Sequence, residues 1–254
     1  MLVTGASSGI GRATALRLAR HGASVVAAAR NAERLESLVA SHGGISAVAC
    51  DVTVEADRAR LMAEAGPVDV LVNNAGVGWM GQVESMPAAD VRTLVETNVV
   101  AVIDLTQRVL PGMLERRLGH VVNVASVASW VAFPPYTVYS ATKWAVQGFT
   151  EGLRRELLGK GMTAATVNPG PIATEFFARS AGHTEPVGEP TVGPGTGLVA
   201  GAVVRSIRMR HVPGYQTISV PRPMGLARLL GLPAVARATD VVSLPTRVSG
   251  RPWQ

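Results

Sequence analysis

The stretch "TGASSGIG", Thr4 to Gly11, decides how this chain is read. It follows a short apolar run, Leu2–Thr4, and opens a segment of helical spacing, Gly9–His21. In a strand–loop–helix setting each glycine has a physical use. Gly5 permits a tight turn, Gly9 lets the backbone approach a pyrophosphate, and Gly11 lets the helix pack closely on the strand. The backbone N–H groups at the helix start, around Ser7, Ser8 and Ile10, then face phosphate charge.

Outward from that loop, apolar β-branched runs alternate with amphipathic segments. The predicted strands are Leu2–Thr4, Ser24–Ala29, Ala47–Cys50, Val68–Asn73, His120–Ala125, Met162–Asn168 and Gln216–Val220. The predicted helices are Gly9–His21, Glu33–Ser41, Val54–Ala65, Ala88–Leu110, Val138–Lys160 and Leu198–Arg208, with Gly22, Gly43, Gly66 and Gly161 placed as terminators. Continuous apolar strands belong to a parallel sheet covered on both faces. The expectation is one Rossmann-type α/β domain over residues 1–254, a doubly wound, mostly parallel sheet of about seven strands in three α/β/α layers. The first strand is very short before the loop, which suggests that residues precede it. Residues 171–197, rich in Gly and Pro, read either as a connector or as a substrate lid, and 210–254 as a basic C-terminal extension.

The bulk composition narrows the function classes. With 254 residues, 47% hydrophobic and 17% charged, the chain can bury a large core and is not disordered throughout. A single cysteine, Cys50, gives no internal disulfide and no thiol cluster for a metal. With neither a signal-peptide pattern nor a membrane-length apolar run, the expected location is the cytoplasm. The net charge of +6 is concentrated late, with eight arginines and one acid, Asp240, from Gly201 onward. No nucleic-acid motif accompanies that charge. Met224–Leu230, with its neighbouring arginines, is instead a candidate for weak peripheral membrane contact.

The second strand indicates which dinucleotide is bound. An NAD site places an acid at the end of that strand to hold the ribose 2′-OH. Here Ala29 stands in that place and Arg30 follows, a guanidinium able to pair with a 2′-phosphate, so NADP is expected. Ser7 and Arg12 could add donors. Asp51, ending the third strand beside Val52, can accept from the adenine amino group. Asn73, Ala75 and Gly76, in "NNAG", end the fourth strand on the same carboxyl edge.

Tyr139 and Lys143 stand one helical turn apart in "VYSATKWAV", on the stripe that also carries Val146, Leu153 and Leu157. A phenol titrates near pH 10, and an adjacent ammonium favours its ionised form. Ser126 closes the fifth strand, and Asn98 is a polar side chain amid apolar neighbours in "ETNVV". A capping hydroxyl and a buried amide bonding the backbone are the plainer readings of these two.

Together, "TGASSGIG", "NNAG", Asn98, Ser126, "YSATK" and "NPGPIAT" resemble the short-chain dehydrogenase/reductase family in its NADP-preferring form, in order over residues 1 to about 177. The resemblance implies that Tyr139 is the catalytic acid/base and that Ser126 polarises the carbonyl. It implies that Lys143 binds the nicotinamide ribose and lowers the Tyr139 pKa, and that Asn98 holds a water in a proton relay. Pro169, Gly170, Ile172 and Thr174 would border the nicotinamide. The family pairs its fourth and fifth helices across subunits, which implies a homodimer or homotetramer.

Trp79, Met80, Trp130, Phe133, Phe176 and Phe177 fall in loops at the carboxyl edge, so a hydrophobic ketone, aldehyde or alcohol is the expected substrate. A catalytically silent NADP-binding regulator is the alternative.

Overall fold

The computed structural model describes residues 1–172, 176, 182, 195–211 and 217–221. Thr174, Phe177, Met224–Leu230, most of 171–197 and most of 210–254 lie outside the described residues.

Seven parallel strands form one sheet: β1 (Leu2–Thr4), β2 (Val25–Ala29), β3 (Ile45–Ala49), β4 (Val70–Asn73), β5 (Gly119–Val124), β6 (Met162–Pro169) and β7 (Thr217–Val220). Their order is β3-β2-β1-β4-β5-β6-β7. In register, Val3 lies beside Ala27 on one side and Val72 on the other. The order reverses between β1 and β4, which opens the ligand crevice of a doubly wound sheet at their carboxyl ends. The glycine loop and "NNAG" both sit there.

Helices cover both faces. On one side α1 (Gly9–Arg20), α2 (Ala32–Ala40) and the helix at Thr196–Arg208 pack through Ala15, Leu18, Leu35, Leu38, Val199 and Val203. On the other, α3 (Glu55–Ala65), α5 (Ala101–Arg116) and α6 (Thr137–Glu156) pack through Leu61, Leu105, Val109, Leu153 and Leu157. The helix at Thr196–Arg208 is numbered α7. The expected helix Ala88–Leu110 is in fact α4 (Ala88–Val95), a π-helical turn at Glu96–Val100, and α5, which continues through Pro111. The third strand begins at Ile45, earlier than expected, because only Ile45 and Val48 of it face the core. No helix among the described residues is long and apolar enough to cross a membrane.

His120 joins three elements at the amino end of the sheet. Its ring contacts the Thr163 carbonyl through Nδ1 at 3.2 Å and Ser206 Oγ of α7 through Nε2 at 3.1 Å. A carbonyl can only accept, so the neutral ring donates from Nδ1 and accepts the Ser206 hydroxyl at Nε2. Burial pushes the imidazole down to about 4. The fold therefore holds the neutral form, and its stabilisation is complete above the unfolded value near 6.5 and lost as pH falls toward 4. Urea melts between pH 7 and pH 4 should show a loss on the order of 3 kcal/mol from this group. In His120→Asn the pH 7 stability should drop and that acid-side slope should flatten.

Candidate active site

The glycine loop is stitched to β4. Gly5 and Gly9 have φ of 64° and 53°, conformations cheap only for glycine. A Cβ on Gly11 would lie 2.2 Å from the Gly5 carbonyl oxygen and 2.5 Å from Asn74 Nδ2. Thr4 Oγ1 accepts from the Asn74 and Ala75 amides, both at 3.0 Å, and Asn74 Nδ2 donates to the Thr4 carbonyl at 3.0 Å. Thr4 and Asn74 therefore shape the cradle, although neither was a candidate from sequence. Asn73 was, and its side chain turns the other way. It donates to Asn123 Oδ1 at 2.9 Å and Thr106 Oγ1 at 3.3 Å, in a buried polar row that Asn123 extends to Thr150. Successive residues of an extended strand face opposite ways, so only one of two adjacent asparagines can reach the loop.

At the end of β2, Arg30 is largely exposed, and its Nη1 lies 3.9 Å from Asp51 Oδ2. Asp51 Oδ1 accepts from the Thr53 amide at 2.9 Å and hydroxyl at 2.8 Å, which fixes the carboxylate just past the carboxyl end of β3. Val52 is buried beside it. At the other end, Pro169 closes β6, the Gly170 amide bonds the Val220 carbonyl at 2.8 Å, and Ile172 is buried in the core. Gly9, Gly11 and the free start of α1 leave room and N–H groups for a pyrophosphate, so these residues fit a dinucleotide.

Ser126, Tyr139, Lys143 and Asn98 converge next to that crevice. Ser126 caps the short turn Val127–Ser129, accepting from the Ala128 amide at 3.1 Å, and is also hydrogen-bonded to the Tyr139 hydroxyl. Lys143 Nζ donates to the Val124 carbonyl at 3.2 Å and lies 5.7 Å from the centre of the Tyr139 ring. Asn98, in the π-helical turn, receives the Val77 amide and donates to the Val77 carbonyl, both at 2.9 Å, and donates again to Thr142 Oγ1 at 3.1 Å. Both amide protons of Asn98 are thus committed, and it clamps the segment after "NNAG". That segment passes close to Lys143, where a Cβ on Gly76 would lie 3.5 Å from Nζ.

The surroundings of Tyr139 are apolar. It clusters with Trp79, Leu94 and Ala128, and its ring lies 5.8 Å from Phe176 and 6.4 Å from Tyr136. The Trp79 indole is anchored by donation to Asp90 at 3.2 Å. Phe133 is exposed, whereas Trp130 is buried.

Comparison with known proteins agrees with this geometry. The sequence profile of the short chain dehydrogenase family matches residues 1–184. The chain belongs to the short-chain dehydrogenase/reductase family. Serine 3-dehydrogenase of Rhizobium radiobacter is 38% identical over 192 residues, 73% of this chain and 77% of that protein. A short-chain dehydrogenase from Streptomyces avermitilis superposes with a TM-score of 0.80 at 31% identity, over 97% of both chains. One from Sphingobium yanoikuyae, in complex with NADPH, superposes at 0.78 with 27% identity, over 99% of this chain and 97% of that one.

The electrostatics of the Tyr139–Lys143 pair are dominated by burial. Burial pushes the Tyr139 phenol up to about 12, the Ser126 hydrogen bond pulling against it, and Lys143 is not among the causes. Burial also pushes Lys143 down to about 8. Removal from water is the leading cause of both shifts, and one of the three ammonium N–H donors is given to the Val124 carbonyl. Lys143 is charged below about pH 8, so at pH 7 its buried charge costs folding free energy that is relieved only as pH rises toward 10.5. Lys143→Met should therefore melt higher than the parent at pH 7, by roughly 1–3 kcal/mol, and this advantage should shrink in melts at pH 10.

Proposed function

We propose that the protein is an NADP(H)-dependent oxidoreductase that moves a hydride between the nicotinamide and a hydrophobic ketone or aldehyde, or the corresponding secondary alcohol. The observation that carries this reading is the buried Tyr139 hydroxyl, bonded to Ser126 and one helical turn from Lys143, beside a glycine cradle at the sheet's switch point. NADP over NAD is supported by Arg30, where an acid would repel a 2′-phosphate, and by the NADPH complex of the Sphingobium relative.

When bound, NADPH supplies the hydride. Ser126 donates a hydrogen bond to the substrate carbonyl oxygen and holds it against Tyr139. With its pKa near 12 the phenol keeps its proton at neutral pH, which suits an acid that protonates the oxygen as negative charge develops there. Reduction is the direction that a cell holding NADPH mostly reduced would drive. Lys143, charged below about pH 8, donates to the nicotinamide ribose hydroxyls. The Asn98 side chain clamps Val77, and the proton-relay role that the family resemblance implies for Asn98 is part of this proposal.

Trp79, Phe176 and Tyr136 around the phenol support an apolar substrate. This favours a hydrophobic carbonyl over an amino acid such as the serine on which the Rhizobium relative is named to act. Val100, Leu114 and Trp144 are exposed on α5, its preceding turn and α6, which supports pairing of copies into a homodimer or homotetramer.

Tyr139→Phe should retain NADPH binding and lower kcat for carbonyl reduction by about 10²–10⁴-fold. Undiminished turnover would remove Tyr139 as the acid, and turnover by neither form on any carbonyl would favour the silent NADP-binding regulator. In a substrate panel, aromatic and long-chain ketones should exceed small charged ones in kcat/KM. Arg30→Glu should weaken NADPH binding by about 100-fold, with little change for NADH, as read by fluorescence titration.

A further inference from the structure

We infer that Arg58, outside the site described above, is a positioning residue that holds the adenine wall of the crevice at one separation from its nicotinamide end. The inference rests on the NADP(H) reading above.

Arg58 lies in the first turn of α3, yet its side chain is only 6% exposed. Nη1 donates to the Val52 carbonyl at 2.7 Å, the residue after the adenine-side Asp51. The same nitrogen lies 3.4 Å from Glu96 Oε1 in the π-helical turn, and Nε lies 3.1 Å from Asp104 Oδ1 on α5. Asp104 is held in turn by Arg108, whose Nη2 reaches Glu55 at 3.6 Å. One planar guanidinium therefore ties the β3–α3 loop to the turn that carries Asn98. Two residues past Glu96, Asn98 pins Val77, and Gly76 beside it faces Lys143. Hydrogen bonds, an ion pair and a close approach thus lead from the adenine wall through Arg58 and Asn98 to the neighbourhood of Lys143.

Burying a guanidinium with two carboxylates seldom adds stability that well-packed apolar side chains could not supply. Its rigid fork does fix three elements in one geometry, which a flexible ammonium cannot. A dinucleotide spans both ends of the crevice, and its two halves reinforce each other only when the sites keep the spacing of the bound molecule.

The test is calorimetric titration of the full-length protein with NADPH, adenosine 2′,5′-bisphosphate and reduced nicotinamide mononucleotide. In Arg58→Met, NADPH should bind at least about tenfold more weakly, while each fragment stays within about threefold of the parent. Arg58→Lys should fall between the two. Arg58→Met combined with Asp104→Leu removes both buried charges and should reproduce the NADPH-selective loss if the single variant folds poorly. Three results would overturn the inference: no change for NADPH, an equal loss for the adenosine fragment, or parental binding by Arg58→Lys. Failure of the parent itself to bind NADPH would instead overturn the cofactor reading before any substitution is made.

Discussion

There is no room for a side chain at Gly11, where the start of α1 meets the Gly5 carbonyl and the Asn74 amide. Close packing there aims the first N–H groups of α1 at the crevice, and the bonds from Thr4 and Asn74 fix that aim relative to β4. The candidate site residues are placed relative to this corner. "NNAG" leaves it toward Val77, Val77 is clamped by Asn98, and Gly76 passes beside Lys143.

The catalytic end is built on costs that the fold absorbs. A buried ammonium, a buried phenol and a buried guanidinium are each unfavourable alone. Lys143 is offset by the Val124 carbonyl, Tyr139 by Ser126, and Arg58 by Val52, Glu96 and Asp104. The buried row Asn73–Asn123–Thr150 adds a further polar layer between sheet and helices, and it fixes how β4 and β5 meet α5 and α6. Such groups can hold one arrangement only when their partners are in place, and that matches the need of a hydride donor and acceptor for fixed separation.

Much of this was legible along the chain because it is local. A glycine's freedom, the one-turn spacing of Tyr139 and Lys143, and Arg30 in place of an acid are properties of a few neighbouring residues. The direction of the Asn73 side chain was not legible, because alternation along a short strand has no phase until the sheet is assembled. The π-helical turn was missed because Glu96–Val100 has ordinary helical composition, and only the clamp on Val77 shows what the extra residue does. Arg58 reads in sequence as one more surface cation on an amphipathic helix.

The amino-acid sequence by itself determined the doubly wound sheet, the glycine loop and the identities of the candidate site residues, since periodicity, backbone freedom and side-chain chemistry are carried by the residues themselves. Tertiary structure alone decided how far those groups are removed from water. Desolvation depends on what packs around an atom, and packing brings Trp79, Leu94 and Phe176 from distant parts of the chain onto Tyr139. Spacing pairs the phenol with its lysine, and packing adds the burial that pushes that phenol up to about 12.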